Sequence, residues 1–288
     1  MRRPPRPVGH NGRMLARLLD SLGAATVEIP AQLWQATLAD LPFLQRLNAA
    51  DRADLRRLCG RLLATKVMSG ASGLELSAAI QVSIAAQACL PILKLGIDWY
   101  RGWRGIVVYP SEYVARRHVQ DEAGLVHEFD ETAAGEAWEA GPVVVSWVQD
   151  QAGAAADPAF NVVIHEFAHK LDLLNGAVDG LPALDRRLHP GLQPQRWRRA
   201  LQDAYERFCA AVDLVESELP HDLDPESAQA DAHYARLPLD PYAAQDEGEF
   251  FAVSSEAFFV DPQRLRDAFA EWYELLAAFY RQDPLAPG

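Results

Sequence analysis

The stretch FNVVIHEFAHKLDLLNG, residues 160 to 176, sets His165 and His169 four residues apart with Glu166 between them. On a helix, side chains at i and i+4 project in parallel, about 6 Å apart. Two imidazole nitrogens so placed converge on one cation, at about 2.0 to 2.1 Å each if it is Zn²⁺. Glu166 lies one step round the helix, where it reaches a water acidified by that cation without itself being a ligand. The chemistry such a trio supports is hydrolysis, with two neutral nitrogen ligands and a carboxylate general base.

A helix has to hold them. Asp157 followed by Pro158 reads as an N-cap with proline at the first helical position, and Asn175-Gly176 reads as a stop. Phe160, Ile164, Phe167, Leu171 and Leu174 form one apolar stripe. At about 100° per residue, His165 and His169 lie roughly 140 to 180° from its centre, away from the main core contact. Asp172 falls near the histidine face, where it could orient a ligand imidazole or only pair with Lys170 or solvent.

H-E-x-x-H on a helix is the signature of zincin metallopeptidases, and three readings of it compete. Peptide deformylases add a ligand cysteine in an E-G-C context, whereas Cys89 sits in QACLPIL inside an apolar helix. Metzincins place a third histidine six residues after the second, where this chain has Asn175. The remaining, glutamate-type reading takes its third ligand from a later helix. DPYAAQDEGEFFAVSSEAFF, residues 240 to 259, offers Glu247, Glu249 and Glu256. Glu249 and Glu256 are about 10.5 Å apart along a helix axis and cannot both bind one ion. Asp246-x-x-Glu249 also reads as a capping box, in which Glu249 would only cap its own helix.

The surrounding elements are mainly helical. Leu55, Leu58, Leu62 and Leu63 recur at helical spacing after a cap at Asn48 or Asp51, and residues 74 to 90 read as a buried core helix ended by Pro91. GIVVYP (105 to 110) and GPVVVSWVQD (141 to 150) read as strands, and LVHEF between them offers a third. A small mixed β-sheet is therefore expected directly before the histidine helix. Long helices follow, separated by an exposed polar stretch from 220 to 241. The fold class is α+β, with a loosely ordered segment over residues 1 to 25 and one zincin-like domain over 26 to 288.

Composition narrows the function. The chain has 288 residues, 49% of them hydrophobic, enough for a sizeable core. Lys and Arg total 27 against 40 Asp and Glu, and the net charge of -13 argues against nucleic acid as a partner. No apolar run is long and uninterrupted enough for a membrane span, and the broken N-terminus does not read as a secretory signal. Cys59, Cys89 and Cys209 are odd in number and widely spaced, which fits a reducing, cytoplasmic setting.

AAQACLPIL, IVVYP, GPVVVSW, HEFAHKLDLLNG, DPYAA, EFFAVSSEAFF and FYRQDP, in that order from about residue 40 to 284, resemble the Mlc-titration-factor-type zinc peptidases. That family is distantly similar to the catalytic domain of anthrax lethal factor. The resemblance implies one Zn²⁺ per chain held by His165, His169 and Glu249, with Glu166 as general base and Tyr242 assisting at the transition state. It leaves Glu256 to accept from a ligand imidazole or to buttress the helices. It implies a peptide or protein substrate, and a transcriptional repressor as a binding partner in the rival, regulatory reading.

Overall fold

The computed structural model describes residues 26–110, 141–147, 161–220, 223 and 229–286. The segment 1 to 25, the LVHEF run, the Asp157-Pro158 pair and part of the 220 to 241 stretch lie outside the described residues.

The first layer is built from α1 (Ala31–Asp40), α2 (Ala49–Thr65) and α3 (Ala78–Cys89). Asn48 caps α2 by accepting from the Asp51 N–H at 2.9 Å, and Leu55, Leu58 and Leu62 are its buried face. Ser77 caps α3, and Leu90 at its end, just before Pro91, keeps helical angles of φ -58° and ψ -49°. α3 is apolar nearly all round, and its residues from Ile84 to Cys89 are buried.

Strands β1 (Val67–Gly70), β2 (Gly105–Tyr109) and β3 (Val143–Ser146) form a sheet in the order β1-β2-β3. Val67 lies opposite Gly105, Ile106 opposite Val143, and both pairings are parallel. Among the described residues the sheet is thus wholly parallel, where the sequence reading expects a mixed one. α3 lies between β1 and β2 in sequence and supplies the crossover that a parallel pair needs. β1 is the strand the sequence did not announce. It has four residues and Val67 is 62% exposed, so it joins through backbone pairing rather than through a buried alternating face.

The second half is helical: α4 (Val162–Asp172), α5 (Pro194–Ser217), a short α6 (Asp231–Tyr234), α7 (Glu247–Val260), α8 (Pro262–Ala268) and α9 (Ala270–Tyr280). α7 is enclosed, with Phe250, Phe251, Ala252, Ser254, Ser255, Glu256 and Phe258 all buried. Trp197 of α5 packs edge-on against Trp272 of α9 at 4.8 Å, and Phe250, Phe251 and Phe279 complete an aromatic mass behind α7. Each such ring contributes about 1.5 to 3 kcal/mol by burial, so α7 is a fixed platform. α4 lies between β3 and α7 and also touches α3. Among the described residues, no helix is long and apolar enough to cross a membrane.

Candidate metal centre

Asn161, not Asp157, caps the described start of α4, its Oδ1 accepting from the Ile164 N–H at 2.9 Å. The helix ends as expected, with Gly176 in the left-handed region at φ 96°. Ile164, Phe167 and Leu171 are fully buried, which turns His165, Glu166 and His169 towards the start of α7.

There the side chains of His165, His169 and Glu249 meet. His165 Nε2 is 3.1 Å from His169 Nε2 and 3.1 Å from Glu249 Oε2, and His169 Nε2 is 3.2 Å from the same oxygen. A tetrahedral ion with ligands at about 2.05 Å requires donor atoms about 3.3 Å apart. The observed triangle is nearly that edge length on all three sides. Two ring nitrogens and a carboxylate oxygen packed this closely call for positive charge at their centre, and the cluster can hold a metal ion.

Electrostatics point the same way. Burial disfavours charge on His165, but hydrogen bonds with Glu249 and Glu256 outweigh it and raise its pKa to about 10. Burial raises the Glu249 carboxyl, and its bonds with His165 and His169 override that and hold it well below the usual range. A proton on His165 therefore serves where a cation would. The Glu166 carboxyl is raised, by burial first, with His165 and His169 pulling it down and Glu249 and Glu256 pushing it up. A carboxyl so raised is suited to taking and returning a proton.

The capping question has a clear outcome. Asp246 is the cap of α7, its Oδ1 accepting from the Glu249 N–H at 2.9 Å, so the Glu249 side chain is left to face the histidines. Glu256, two turns on and 1% exposed, does not join the triangle. Its Oε1 accepts from His165 Nδ1 at 2.7 Å.

Comparison with known proteins settles the family. The sequence profile of the glucose-regulated metallo-peptidase M90 family matches residues 19–281. The chain belongs to this family. It is 36% identical over 256 residues to Mlc titration factor A of Klebsiella pneumoniae subsp. pneumoniae, covering 88% of this chain and 87% of that one. Mlc titration factor A of Salmonella typhi is 36% identical over 252 residues (87% and 86% of the two chains), and that of Salmonella arizonae 35% over 255 (88% and 91%).

In this member of the glucose-regulated metallo-peptidase family, Tyr242 lies on a single 3-10 turn, Pro241–Ala244, immediately before α7. It is 37% exposed, and its ring centre is 6.1 Å from that of His165. Asp240 starts the turn by accepting from the Tyr242 N–H, and the Tyr205 hydroxyl of α5 donates to the Ala244 carbonyl at 3.0 Å at its far end. Tyr205 was not anticipated from the sequence, since a tyrosine on an amphipathic helix carries no local signal of its partner.

Asp172 is fully buried but is not hydrogen-bonded to a ligand imidazole. Its Oδ2 accepts from the Gly180 N–H at 2.7 Å, so it anchors the loop after α4. Among the described residues, its Oδ1 and His169 Nδ1 are the buried side-chain atoms without a hydrogen-bond partner. Two further residues near the site went unremarked as site residues in the sequence, Asn161 and Gln87, whose Nδ2 and Oε1 meet at 2.7 Å. A glutamine in an otherwise apolar helix was the available signal.

Proposed function

We propose that this chain is a zinc-dependent peptidase of the glutamate-zincin kind. The observation that carries the reading is the triangle of His165 Nε2, His169 Nε2 and Glu249 Oε2, with Glu166 beside it. Two imidazoles and one carboxylate are the donor set of catalytic rather than structural zinc sites, which leave a position open. Zinc held by His165, His169 and Glu249 would supply Lewis acidity, polarising a peptide carbonyl and making a water easier to deprotonate. Glu166 takes the proton from the attacking water at its carboxylate and returns it to the leaving amine. Tyr242 donates its phenolic hydrogen to the oxygen of the carbonyl as negative charge develops there. An extended substrate would lie along β3, which ends the described sheet and packs against α4. The free cysteines fit a cytoplasmic setting.

A second reading is favoured by the relatives' name, Mlc titration factor A. Here the chain acts by sequestering a transcriptional repressor, with hydrolysis minor. A peptide-library cleavage assay with and without chelator, run on wild type and Glu166→Gln, separates the two. The peptidase reading expects chelator-sensitive cleavage that drops by at least about 10² in the variant, because the amide keeps the shape and lacks the basicity. No cleavage by wild type across the library, with tight repressor binding that Glu166→Gln retains, favours the second reading.

A further inference from the structure

We propose that Gln87 and Asn161 are positioning residues for the metal centre, joined through Glu256 into a buried relay that fixes how His165 presents its Nε2. The proposal rests on His165, His169 and Glu249 being metal ligands.

The relay crosses three helices. Gln87 Nε2, on α3, donates to the Ser83 carbonyl at 3.2 Å and lies 3.3 Å from the Ser83 hydroxyl. Gln87 Oε1 accepts from Asn161 Nδ2 at 2.7 Å. Asn161 Oδ1 accepts from the Ile164 N–H, and the Asn161 backbone N–H donates to Glu256 Oε2, on α7. The other Glu256 oxygen accepts from His165 Nδ1.

Directionality makes this more than a set of contacts. The Ser83 carbonyl can only accept, so the Gln87 amide must point its NH₂ there and its oxygen towards Asn161. The Ile164 N–H can only donate, so the Asn161 amide must turn its oxygen to the helix and its NH₂ to Gln87. Both amides are thus held in one orientation. The carboxylate of Glu256 spans the backbone of the metal helix at residue 161 and the imidazole one turn on. A His165 that donates from Nδ1 keeps its Nε2 lone pair for the ion.

Burial at its two ends gives the relay its force. Gln87 is 5% exposed and Glu256 1%, with Asn161 half-buried between them, so water does not readily replace a partner lost at either end. Removing the Gln87 oxygen leaves Asn161 Nδ2 unpaired, free to turn at the expense of the Ile164 cap. The start of α4 then loosens against Glu256, and His165 loses its fixed orientation.

The test uses the full chain carrying Gln87→Met or Asn161→Ser. Serine is a good N-cap that keeps the Ile164 bond but cannot reach Gln87 as a donor in the same way. Zn²⁺ affinity is measured by chelator competition, alongside the thermal midpoint of the metal-free form. Each variant is expected to weaken Zn²⁺ binding roughly tenfold, the scale seen when groups behind a ligand histidine are removed. The double variant should bind no more weakly than the worse single one, because both changes break one bond. Wild-type affinity in both variants, or a lowered midpoint with unchanged affinity, overturns the proposal. If Gln87→Met does not fold, Asn161→Ser decides. A wild type that binds no Zn²⁺ removes the metal reading itself, and the relay's role with it.

Discussion

Tyr242 and Glu249 sit seven residues apart in sequence, and the proposed function gives them separate tasks. Glu249 is one of three donor atoms, whereas the Tyr242 ring stands beside His165 with its face partly open to solvent. A hydroxyl that bonds mainly to developing charge stabilises the transition state and not the resting site. Tyr242→Phe should therefore lower kcat by about 10² while zinc content stays at the wild-type level, read by steady-state kinetics with metal analysis on the same sample. An unchanged kcat would reduce Tyr242 to a packing residue of its turn. Residue types and spacing were enough to single out His165 and His169, which the structure brings together, because H-E-x-x-H combines a helical period with a chemical one. They were not enough to choose between Glu249 and Glu256. Both lie on one helix face, and the choice depends on where α4 crosses α7, which is a matter of packing.

At the scale of elements, the loop from Gly176 to Leu181 seats the start of α7. Gly180 has φ 72°, its N–H is held by Asp172, and its carbonyl accepts from Trp197 Nε1 at 2.7 Å. A Cβ there would stand 2.6 Å from the Glu247 carbonyl oxygen and 2.8 Å from Leu201. Gly180→Ala should cost about 2 to 4 kcal/mol in denaturant unfolding and should also weaken metal binding, since the displaced backbone lies two residues before Glu249. Wild-type stability would mean the loop yields without consequence. Elements with a strong period or a capping residue were legible: α2 after Asn48, the long α5, and the stop at Asn175-Gly176. The described start of α4 was misplaced because Asp-Pro is the louder punctuation, whereas Asn161 caps only by virtue of the fold around it. β1 and the parallel pairing were not legible, since four mostly exposed residues have no pattern and strand direction is decided by the crossover.

Across the whole molecule, an acidic chain gathers carboxylates around a cluster that can hold a metal ion, and one buried carboxylate nearby carries a cost that pH reveals. Burial raises the Asp172 pKa to about 8, helped by nearby Asp179 and Asp246 and opposed by the Gly180 N–H. Its ordinary value is 3.8, so between there and about 8 the folded state binds a proton that the unfolded state has released. Stability from this group is thus greatest at low pH and falls as pH rises through that window. Asp172→Asn removes the titration, and its unfolding free energy relative to wild type, read by denaturant titration, should rise between about pH 5 and pH 8 by on the order of 1 kcal/mol or more. A difference independent of pH would mean Asp172 is ionised throughout. The central claim concerns the three donor atoms at the junction of α4 and α7, and elemental analysis of freshly purified protein tests it most directly. Wild type should carry about one zinc per chain, and His165→Ala, His169→Ala and Glu249→Ala should each lose most of it, because two remaining ligands hold the ion poorly. Wild-type protein free of transition metal, or zinc retained in all three variants, would contradict it.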